Sequence, residues 1–376
     1  MKKIYGIIVV ALGMVSFSSC SDYKFDSSAY TNGIKVTSAE GTIDAAGGSV
    51  NIEVDKTISK AYAADGWLSV TTDGQKVIAT AEKNRSRESR SSIVVVKASD
   101  TDSTIVNVSQ LGLVFGCDAS DMTIGDGACV KSFNVTNNSG FSITGFPSWI
   151  ELSATESSVT MNITENTTGH VRSGYVYVQS GEYTDSICIR QGDFKDVATD
   201  YYMYYYAKNS STGKYDLTYD KVQIYASQGD TIMSFPGYRF KWPCSYDAQN
   251  IRIKFSNMYK LGTYMGYTIY GMVINGAGYL SYSTAYSGWW DFDTTEDGIG
   301  FANLGTDYGT DEPYGLDFYA FSGSTAAGTL QLFTYPQLIR VDDLEALGAK
   351  ENKEARISKF IKRPQTTFSS PKFDGK

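Results

Sequence analysis

The chain has 376 residues and carries a formal net charge of -8 at pH 7. This length is sufficient for two or three domains with substantial hydrophobic cores. Because the chain is acidic and has no basic cluster of the kind that follows a phosphate backbone, we exclude nucleic acid as a partner.

An export signal is the first predicted element and covers residues 1–19. Two lysines precede an apolar run of 14 residues, which is shorter than the roughly 20 residues that a membrane-spanning helix needs. The run ends in the sequence FSSC, which resembles the cleavage box of bacterial lipoproteins and would make Cys20 the lipidated first residue of the mature protein. Residues 20–33 are then a tether. Ordinary secretion without lipidation is the alternative.

The lipid anchor predicts a location at the outer membrane of a Gram-negative bacterium. The pair Ser21-Asp22, directly after Cys20, resembles the acidic export tags of surface lipoproteins. We therefore expect the cell surface and keep the periplasmic face of the membrane as the alternative.

Two stretches of the chain repeat one sparse pattern of residues. Trp and Asn lie 17 residues apart in both copies, and Asn and Arg lie 6 apart, whereas the sequence between them differs widely. A shared spacing without shared sequence indicates two copies of one structural unit, at residues 34–112 and 113–192. The landmark residues are Trp67, Asn84, Arg90 and Gln110 in the first copy and Trp149, Asn166, Arg172 and Gln191 in the second.

Each copy contains short β-branched runs separated by Gly, Asn, Asp and Ser turns, which is typical of a β-sandwich. Alternation along the last strand predicts that Val106 and Val108 face the core, like Ile187 and Ile189, and that Cys188 faces outward. We interpret the landmark residues as scaffold. The Trp is a core plug rather than a sugar platform, the Asn supports a turn, and the Arg and Gln bond backbone groups.

The repeated unit resembles a known family. The strand entry at Gly47-Gly48-Ser49, the WLSV and WIEL segments, the Asn-then-Arg-Ser turn and the closing IVNVSQLG and SICIRQGD strands resemble the BACON domain (Bacteroidetes-associated carbohydrate-binding, often N-terminal). The resemblance covers about residues 34–192 as two tandem copies and is clearer in the first. It implies immunoglobulin-like sandwiches of surface or secreted proteins that handle polysaccharides. We expect both modules to act as a spacer.

Four further cysteines are Cys117, Cys129, Cys188 and Cys244, without a Cys-x-x-Cys pair, and the chain has a single His. Zinc and iron-sulfur sites are therefore poorly supported, and we predict neither a metal nor a cofactor. In an exported protein the first three can supply one disulfide and leave an odd thiol. The pairing stays open.

The composition shifts at about residue 195, and 21 of the 28 tyrosines lie beyond that point. Strand-like segments between Gly, Asp and Ser turns predict a larger β-sandwich or jelly-roll-like domain over residues 195–340, so that the whole chain is all-β. Residues 341–376 are predicted as a solvated terminal helix with a frayed tail. A basic helix on a membrane surface is the alternative.

The excess of tyrosine favours a glycan site, because an aromatic face offers sugar C–H groups a flat apolar surface. In a strand, Trp290 and Phe292 face one side, while Trp289, Asp291 and Asp293 face the other and place a ring beside two carboxylates. The candidate glycan-binding residues are Tyr286, Trp289, Asp291 and Asp293, with Trp242 and Tyr246 as a second candidate in a loop.

Other kinds of functional site have weaker support in the sequence. The stretch DFDTTEDG does not have the spacing of a calcium-binding EF-hand loop. Paired carboxylates can hydrolyse glycosidic bonds, but no local signature of a hydrolase family is present. The only His, His170, lies in a turn and gives little support to a Ser-His-Asp triad. We predict no catalytic residue.

The sequence therefore predicts a surface lipoprotein that binds a polysaccharide or oligosaccharide without cleaving it, through its C-terminal domain. A glycoside hydrolase or other polysaccharide-active enzyme is the first alternative, and a structural or adhesive surface protein is the second. The expected partners are the glycan, the membrane through the lipid anchor, and neighbouring glycan-uptake proteins.

Overall fold

The structure, a computed structural model, describes residues 33–347 and 370–374. The predicted signal, the lipidation site Cys20, nearly all of the tether and the part of the terminal helix beyond residue 347 lie outside the described residues. Strands make up most of the described chain, which confirms the all-β class. In this part of the chain no helix is both long and apolar enough to cross a membrane.

The chain divides into two compact units, Met1–Gly112 and Leu113–Lys376. The first unit contains one β-sandwich. Its strands are β1 (Val36–Ala39), β2 (Thr42–Ile43), β3 (Gly48–Val54), β4 (Lys60–Ala63), β5 (Leu68–Asp73), β6 (Lys76–Ala81), β7 (Arg90–Lys97) and β8 (Ser103–Gln110). One sheet has the order β1-β3-β6-β5 and the other the order β2-β8-β7-β4. All pairs are antiparallel except β2 with β8, which are parallel.

The second unit begins with a sandwich of the same topology. Its strands are β9 (Phe115–Cys117), β10 (Met122–Ile124), β11 (Cys129–Asn137), β12 (Ser142–Gly145), β13 (Ile150–Ala154), β14 (Ser158–Ile163), β15 (Arg172–Ser180) and β16 (Tyr183–Gln191). The sheet orders are β9-β11-β14-β13 and β10-β16-β15-β12, again with one parallel pair, β10 with β16. Each strand of the first sandwich therefore has an equivalent in the second.

Burial alternates along the last strand of each sandwich as predicted. Val108, Ile187 and Ile189 are buried in the two cores, and Val106 packs against the first. Cys188 is half-buried on the outer face. The disulfide that the sequence favoured does not form, because Cys117, Cys129, Cys188 and Cys244 are all free thiols in the structure.

A short helix and a third region complete the second unit. Its elements are α1 (Phe194–Val197), β17 (Asp200–Lys208), β18 (Tyr215–Ser227), β19 (Asp230–Phe235), β20 (Phe240–Asp247), β21 (Arg252–Ser256), β22 (Tyr259–Tyr264), β23 (Tyr267–Ile274), β24 (Tyr279–Leu280), β25 (Ser287–Thr294), β26 (Gly300–Thr306), β27 (Gly315–Ser322), β28 (Thr325–Arg340), α2 (Val341–Leu347) and β29 (Lys372–Phe373). The thirteen strands belong to one sheet. We call this region the C-terminal sheet.

The C-terminal sheet closes on itself instead of forming the two separate layers that the sequence favoured. Pairings run β17-β18-β19-β20-β21-β25-β26-β28, and β28 pairs again with β17. The cause is the length of β28, which has 16 residues. Its first part pairs with β27, and its last part lies between β17 and β26. The ring encloses a core that includes Trp242, Trp290, Phe318 and Phe333.

The end of the chain differs from the frayed tail that we predicted. The terminal helix is described only as α2, and β29 pairs in parallel with β24. Phe373 stacks on Tyr282 with the ring centroids 4.1 Å apart, and the Tyr308 hydroxyl donates to Asp374. These contacts hold residues 370–374 on the C-terminal sheet.

Candidate functional site

Three of the landmark residues of the first sandwich, Trp67, Arg90 and Gln110, form one network of contacts. The Arg90 guanidinium lies 4.4 Å from the centroid of the Trp67 ring and donates to Oε1 of Gln110 at 2.9 and 2.7 Å. The Gln110 amide in turn donates to the carbonyls of Asp44 and Glu82. Because the fully buried Gln110 amide has protein partners for both its oxygen and its nitrogen, its role is structural.

The second sandwich repeats this network. Arg172 lies 4.5 Å from the centroid of the Trp149 ring and donates to Oε1 of Gln191 at 2.9 and 2.7 Å. Asn166 is buried and bonds the carbonyl of His170 across its turn, as Asn84 does with Glu88. The interpretation of the landmark residues as scaffold agrees with this geometry.

The strand of the sharpest glycan candidate is β25, and its alternation is as predicted. Trp290 and Phe292 are buried in the core, whereas Trp289, Asp291 and Asp293 are half-buried on the outer face. Period-two alternation is a local property of a strand, which is why the sequence could predict it.

The outer face of β25 is already occupied by contacts within the protein. Trp289 lies across the bare backbone of Gly305, where an added Cβ would be 2.3 Å from its Nε1. The Arg252 guanidinium lies 5.0 Å from the Trp289 ring centroid and forms an ion pair with Asp291, which also accepts from Trp289 Nε1 at 3.0 Å. A sugar would have to displace Arg252 to stack on this ring.

Asp293 lies at the seam between the second sandwich and the C-terminal sheet. Its carboxylate accepts a hydrogen bond from Ser173 at 2.9 Å, and Arg190 donates to the carbonyls of Asn250 and Phe292 at 3.1 and 2.5 Å. His170 and Asp343 are paired across the same seam at 2.8 Å. These bonds give Asp293 and His170 a structural role in the seam.

The other three candidate residues do not lie on the outer face of β25. Trp242 was expected in a loop but lies in β20, fully buried, with its Nε1 donating to the carbonyl of Ser256. Tyr246 packs against Phe194 near the seam, and Tyr286 packs against Tyr308 with the ring centroids 4.4 Å apart and the planes tilted by 31°. The six candidates therefore do not form one site, and Trp242 is not accessible to a glycan.

An open cleft of about 550 Å³ lies elsewhere on the C-terminal sheet. We call it the tyrosine cleft. The turn between β19 and β20 supplies one wall, β22 the other, and β28 contributes Leu330. Its principal lining residues are Tyr238, Arg239, Phe240, Leu261, Tyr264 and Leu330. Tyr264 is 47% exposed, and the rings of Tyr238 and Phe240 lie within 14° of parallel.

A carboxylate fixes the inner wall of the tyrosine cleft. The hydroxyls of Tyr205 and Tyr238 both donate to Oδ2 of Asp220, at 2.8 and 3.2 Å. Burial, with the Asp220 charge as a further cause, raises the pKa of both phenols well above the usual value for tyrosine. Tyr238 is therefore held in one orientation, with its ring facing the cleft.

Arg239 is the charged residue among those that line the tyrosine cleft. It is exposed and has a φ of 58°, a left-handed conformation that is uncommon for residues other than glycine. The cleft thus combines aromatic rings with a planar donor, a mixture that suits the apolar faces and the hydroxyls of a sugar. Within the described residues, no group of three or more His, Cys, Asp or Glu side chains is arranged to hold a metal ion.

Residues 132–192 match the family model of the BACON domain, whose description is "Putative binding domain, N-terminal". The chain thus contains a BACON domain, and the match lies in the second sandwich, although the sequence resemblance looked clearer in the first. No curated protein matches the chain in sequence.

Several solved structures share sandwich-like parts with this chain. A chimeric titin Z1Z2 protein matches over 43% of this chain and 96% of its own, with 7% identity and a TM-score of 0.26. A tandem of titin domains matches over 43% and 66%, with 12% identity and a TM-score of 0.31. An endo-fucoidan hydrolase of glycoside hydrolase family 107 matches over 41% and 27%, with 11% identity and a TM-score of 0.21. TM-scores this low support no functional argument.

Proposed function

We propose that the protein is a surface lipoprotein that binds oligosaccharide units of a polysaccharide, without cleaving them, in the tyrosine cleft. The observation that carries this proposal is the cleft itself, which places the rings of Tyr238, Phe240 and Tyr264 around an open volume with Arg239 at its edge. A volume of about 550 Å³ is within the range of pockets that hold small ligands. The BACON domain in the same chain is consistent with carbohydrate binding.

The proposed site lies in the C-terminal region, as the sequence predicted, but in the tyrosine cleft instead of on the outer face of β25. The outer face of β25 is held by Arg252 and Ser173, whereas Tyr264 is exposed and Tyr238 is oriented by Asp220. A preorganised aromatic wall loses little side-chain entropy on binding. The cleft is therefore the better site for stacking a sugar ring.

Affinity electrophoresis of the purified protein in gels that contain plant or host glycans tests this proposal. We expect retardation by at least one glycan and about tenfold weaker binding in Tyr264→Ala, since one stacking contact contributes about 1.5 kcal/mol. Tyr219→Ala is the matched control, because Tyr219 is 54% exposed and lies outside the cleft. Equal retardation of Tyr264→Ala and the unmodified protein would contradict the assignment of the site.

The absence of cleavage and the lipid anchor have separate tests. Incubation with every glycan that binds should release no new reducing ends, and release would favour the hydrolase alternative. Replacement Cys20→Ala should shift the protein from the membrane fraction to the soluble fraction. Protection of the unmodified protein from protease added to whole cells would contradict surface exposure and favour the periplasmic face.

A further inference from the structure

The second sandwich carries an exposed pair of tyrosines that the scaffold network does not use. Tyr175 and Tyr177 lie two residues apart on the outer face of β15 and are 49% and 41% exposed. Their ring centroids are 5.9 Å apart and their planes differ by 25°. At this distance the rings are offset, so that neither ring covers the other. Two nearly parallel rings are therefore open to solvent.

The neighbouring strands leave room for these rings. Tyr177 lies beside Gly145 on β12, where an added Cβ would be only 3.2 Å from its Cδ2. On the other side β16 places the small residues Ser186 and Cys188 opposite the pair. Tyr177 therefore has small neighbours on both sides, and Tyr175 has a small neighbour on β16.

The charges around the pair are negative. Asp121 accepts a hydrogen bond from the backbone N–H of Cys188 at 2.8 Å, and its charge contributes to the raised pKa of Tyr175, for which the neighbouring Cys188 is the main cause. Arg190, the next outward residue on β16, is directed into the seam by its bonds to backbone carbonyls. An anionic ligand would meet the Asp121 carboxylate here, while the Arg190 guanidinium is engaged in the seam.

The first sandwich provides an internal comparison at the same positions. Ile93 and Val95 on β7 occupy the positions that Tyr175 and Tyr177 have in the second sandwich, because each pair lies three and five residues after the landmark Arg that pairs with Gln. Ile93 is 43% exposed, so the fold tolerates an apolar side chain there without a stacking partner. The ring pair is thus not required by the sandwich topology.

We propose that Tyr175 and Tyr177 form a second glycan-binding surface, the tyrosine pair, which stacks consecutive uncharged sugar units of a polysaccharide. The ring faces supply the apolar contact, and Ser186 and Asp121 lie nearby to bond sugar hydroxyls. The negative surroundings exclude sugars that carry carboxylate or sulfate groups. This inference rests on the proposed glycan-binding function for its class of ligand, but not on the tyrosine cleft.

Affinity electrophoresis with neutral polysaccharides tests the tyrosine pair in a background that lacks the cleft contacts. We expect the Tyr264→Ala, Arg239→Ala protein to keep part of its retardation. Adding Tyr175→Ser and Tyr177→Ser should remove what remains, a loss of tenfold or more in apparent affinity. Adding Tyr175→Phe and Tyr177→Phe instead should preserve it, because the rings remain. Polysaccharides built from uronic acids should not be retained by this surface.

The matched control is Ile93→Ser with Val95→Ser, which changes the equivalent positions of the first sandwich and should leave retardation unchanged. Circular dichroism and thermal unfolding of every variant check that the sandwich is folded. We call the Tyr264→Ala, Arg239→Ala protein the cleft variant and the Tyr175→Ser, Tyr177→Ser change the serine pair. The inference is overturned if the serine pair binds glycan as tightly as its parent protein, or if the cleft variant alone abolishes all retardation. It is also overturned if the serine pair changes the oligomeric state instead of glycan binding.

Failure of this inference and failure of the proposed function give different results. If the cleft variant binds normally and the serine pair does not, the tyrosine pair stands and the assignment of the cleft fails. If the serine pair binds normally and the cleft variant does not, the reverse holds. If the unmodified protein binds no glycan, both are contradicted.

Discussion

The two sandwiches share a topology and an internal network, and they differ on their surfaces. In both, an Arg lies over a Trp ring and donates twice to one Gln oxygen, with nearly identical distances. The outer face has Ile93 and Val95 in one copy and Tyr175 and Tyr177 in the other. The contacts that the fold requires are therefore the same in both sandwiches, whereas the surface residues that a ligand would contact differ.

A second difference concerns the turn beneath the Asn landmark. The backbone N–H of Asn84 donates to the carbonyl of Ala45, and that of Asn166 donates to the carbonyl of Asp126, so Ala45 and Asp126 are equivalent. Ala45 is fully buried. Asp126 is also buried, but its carboxylate accepts from Asn166 and pairs with Lys195 at 2.9 Å. This substitution links the second sandwich to α1 and to the chain that follows it.

Removal of the Gln side-chain amide at the centre of each network should have the largest effect on the stability of the two sandwiches. In Gln110→Ala or Gln191→Ala, the Arg loses its two hydrogen bonds to the Gln oxygen, and two or more backbone carbonyls lose a donor. We expect a loss of about 3 kcal/mol in the free energy of unfolding of each sandwich. Hydrogen–deuterium exchange followed by mass spectrometry measures this loss separately in peptides from each copy.

Gln110→Ala and Gln191→Ala should differ in how much of the chain loses protection from hydrogen exchange. Gln110→Ala should increase exchange within residues 34–112 only. Gln191→Ala should also increase exchange in α1 and β25, because Asp126, Ser173 and Arg190 bond those elements. Gln223→Ala, which changes an amide on β18 of the C-terminal sheet, is the control and should alter neither sandwich. Equal spreading in both variants would contradict the link through Asp126.

An intermediate effect is expected from the Arg landmark. Arg172 donates to Gln191 and also to the carbonyl of Thr164 at 2.7 Å. Arg172→Ala should therefore destabilise its sandwich by about 2 kcal/mol, and Arg90→Ala should destabilise the first sandwich by somewhat less. Urea unfolding followed by tryptophan fluorescence measures both, since Trp67 and Trp149 are the rings that lose their cation. A larger loss for Arg90→Ala would contradict this order.

The sequence predicted features that repeat at short range. The landmark spacing predicted two copies, and alternation predicted that Trp290 faces the core while Trp289 faces outward. It did not predict the position of Trp242, because Pro243 in the segment FKWPCSYD indicated a loop, whereas the structure places this proline within β20 opposite Ile232. A buried indole next to a proline has no distinctive local pattern.

The binding surfaces were harder to predict for two different reasons. The tyrosine cleft joins Tyr238, Tyr264 and Leu330, which come together only because the C-terminal sheet closes on itself. No local periodicity predicts such closure. The tyrosine pair, in contrast, had a local signal in the alternating segment YVYV, with Val176 and Val178 buried and both tyrosines outward.

The smallest expected effect is a pH dependence at the junction of the second sandwich with α1, which has no equivalent in the first sandwich. Burial, together with the nearby Asp126 carboxylate, raises the pKa of Asp196 in α1 to about 6, from an ordinary value of 3.8. A raised pKa in the folded state means that the protonated carboxyl is favoured by folding. The resulting stability is fully present below about pH 3.8 and is lost as the pH rises through 6. Asp196 should therefore make the second unit more stable at pH 5 than at pH 7.5 by about 1 kcal/mol. Asp317 in β27, whose pKa burial raises to about 7, adds a separate gain of the same sign.

The variant Asp196→Asn should reduce the gain by about 1 kcal/mol and leave the contribution of Asp317, as measured by urea unfolding at the two pH values. Asp102 in the first sandwich is the control, because its pKa is lowered, first by the Lys56 ammonium and then by the backbone N–H of Ile34. A lowered pKa gives stability that is lost only as the pH falls below about 3.8, so Asp102→Asn should not change the difference between pH 7.5 and pH 5. If Asp196→Asn keeps the full pH dependence, the coupling between Asp126 and α1 does not distinguish the two copies, and their difference is confined to the outer face that carries Tyr175 and Tyr177.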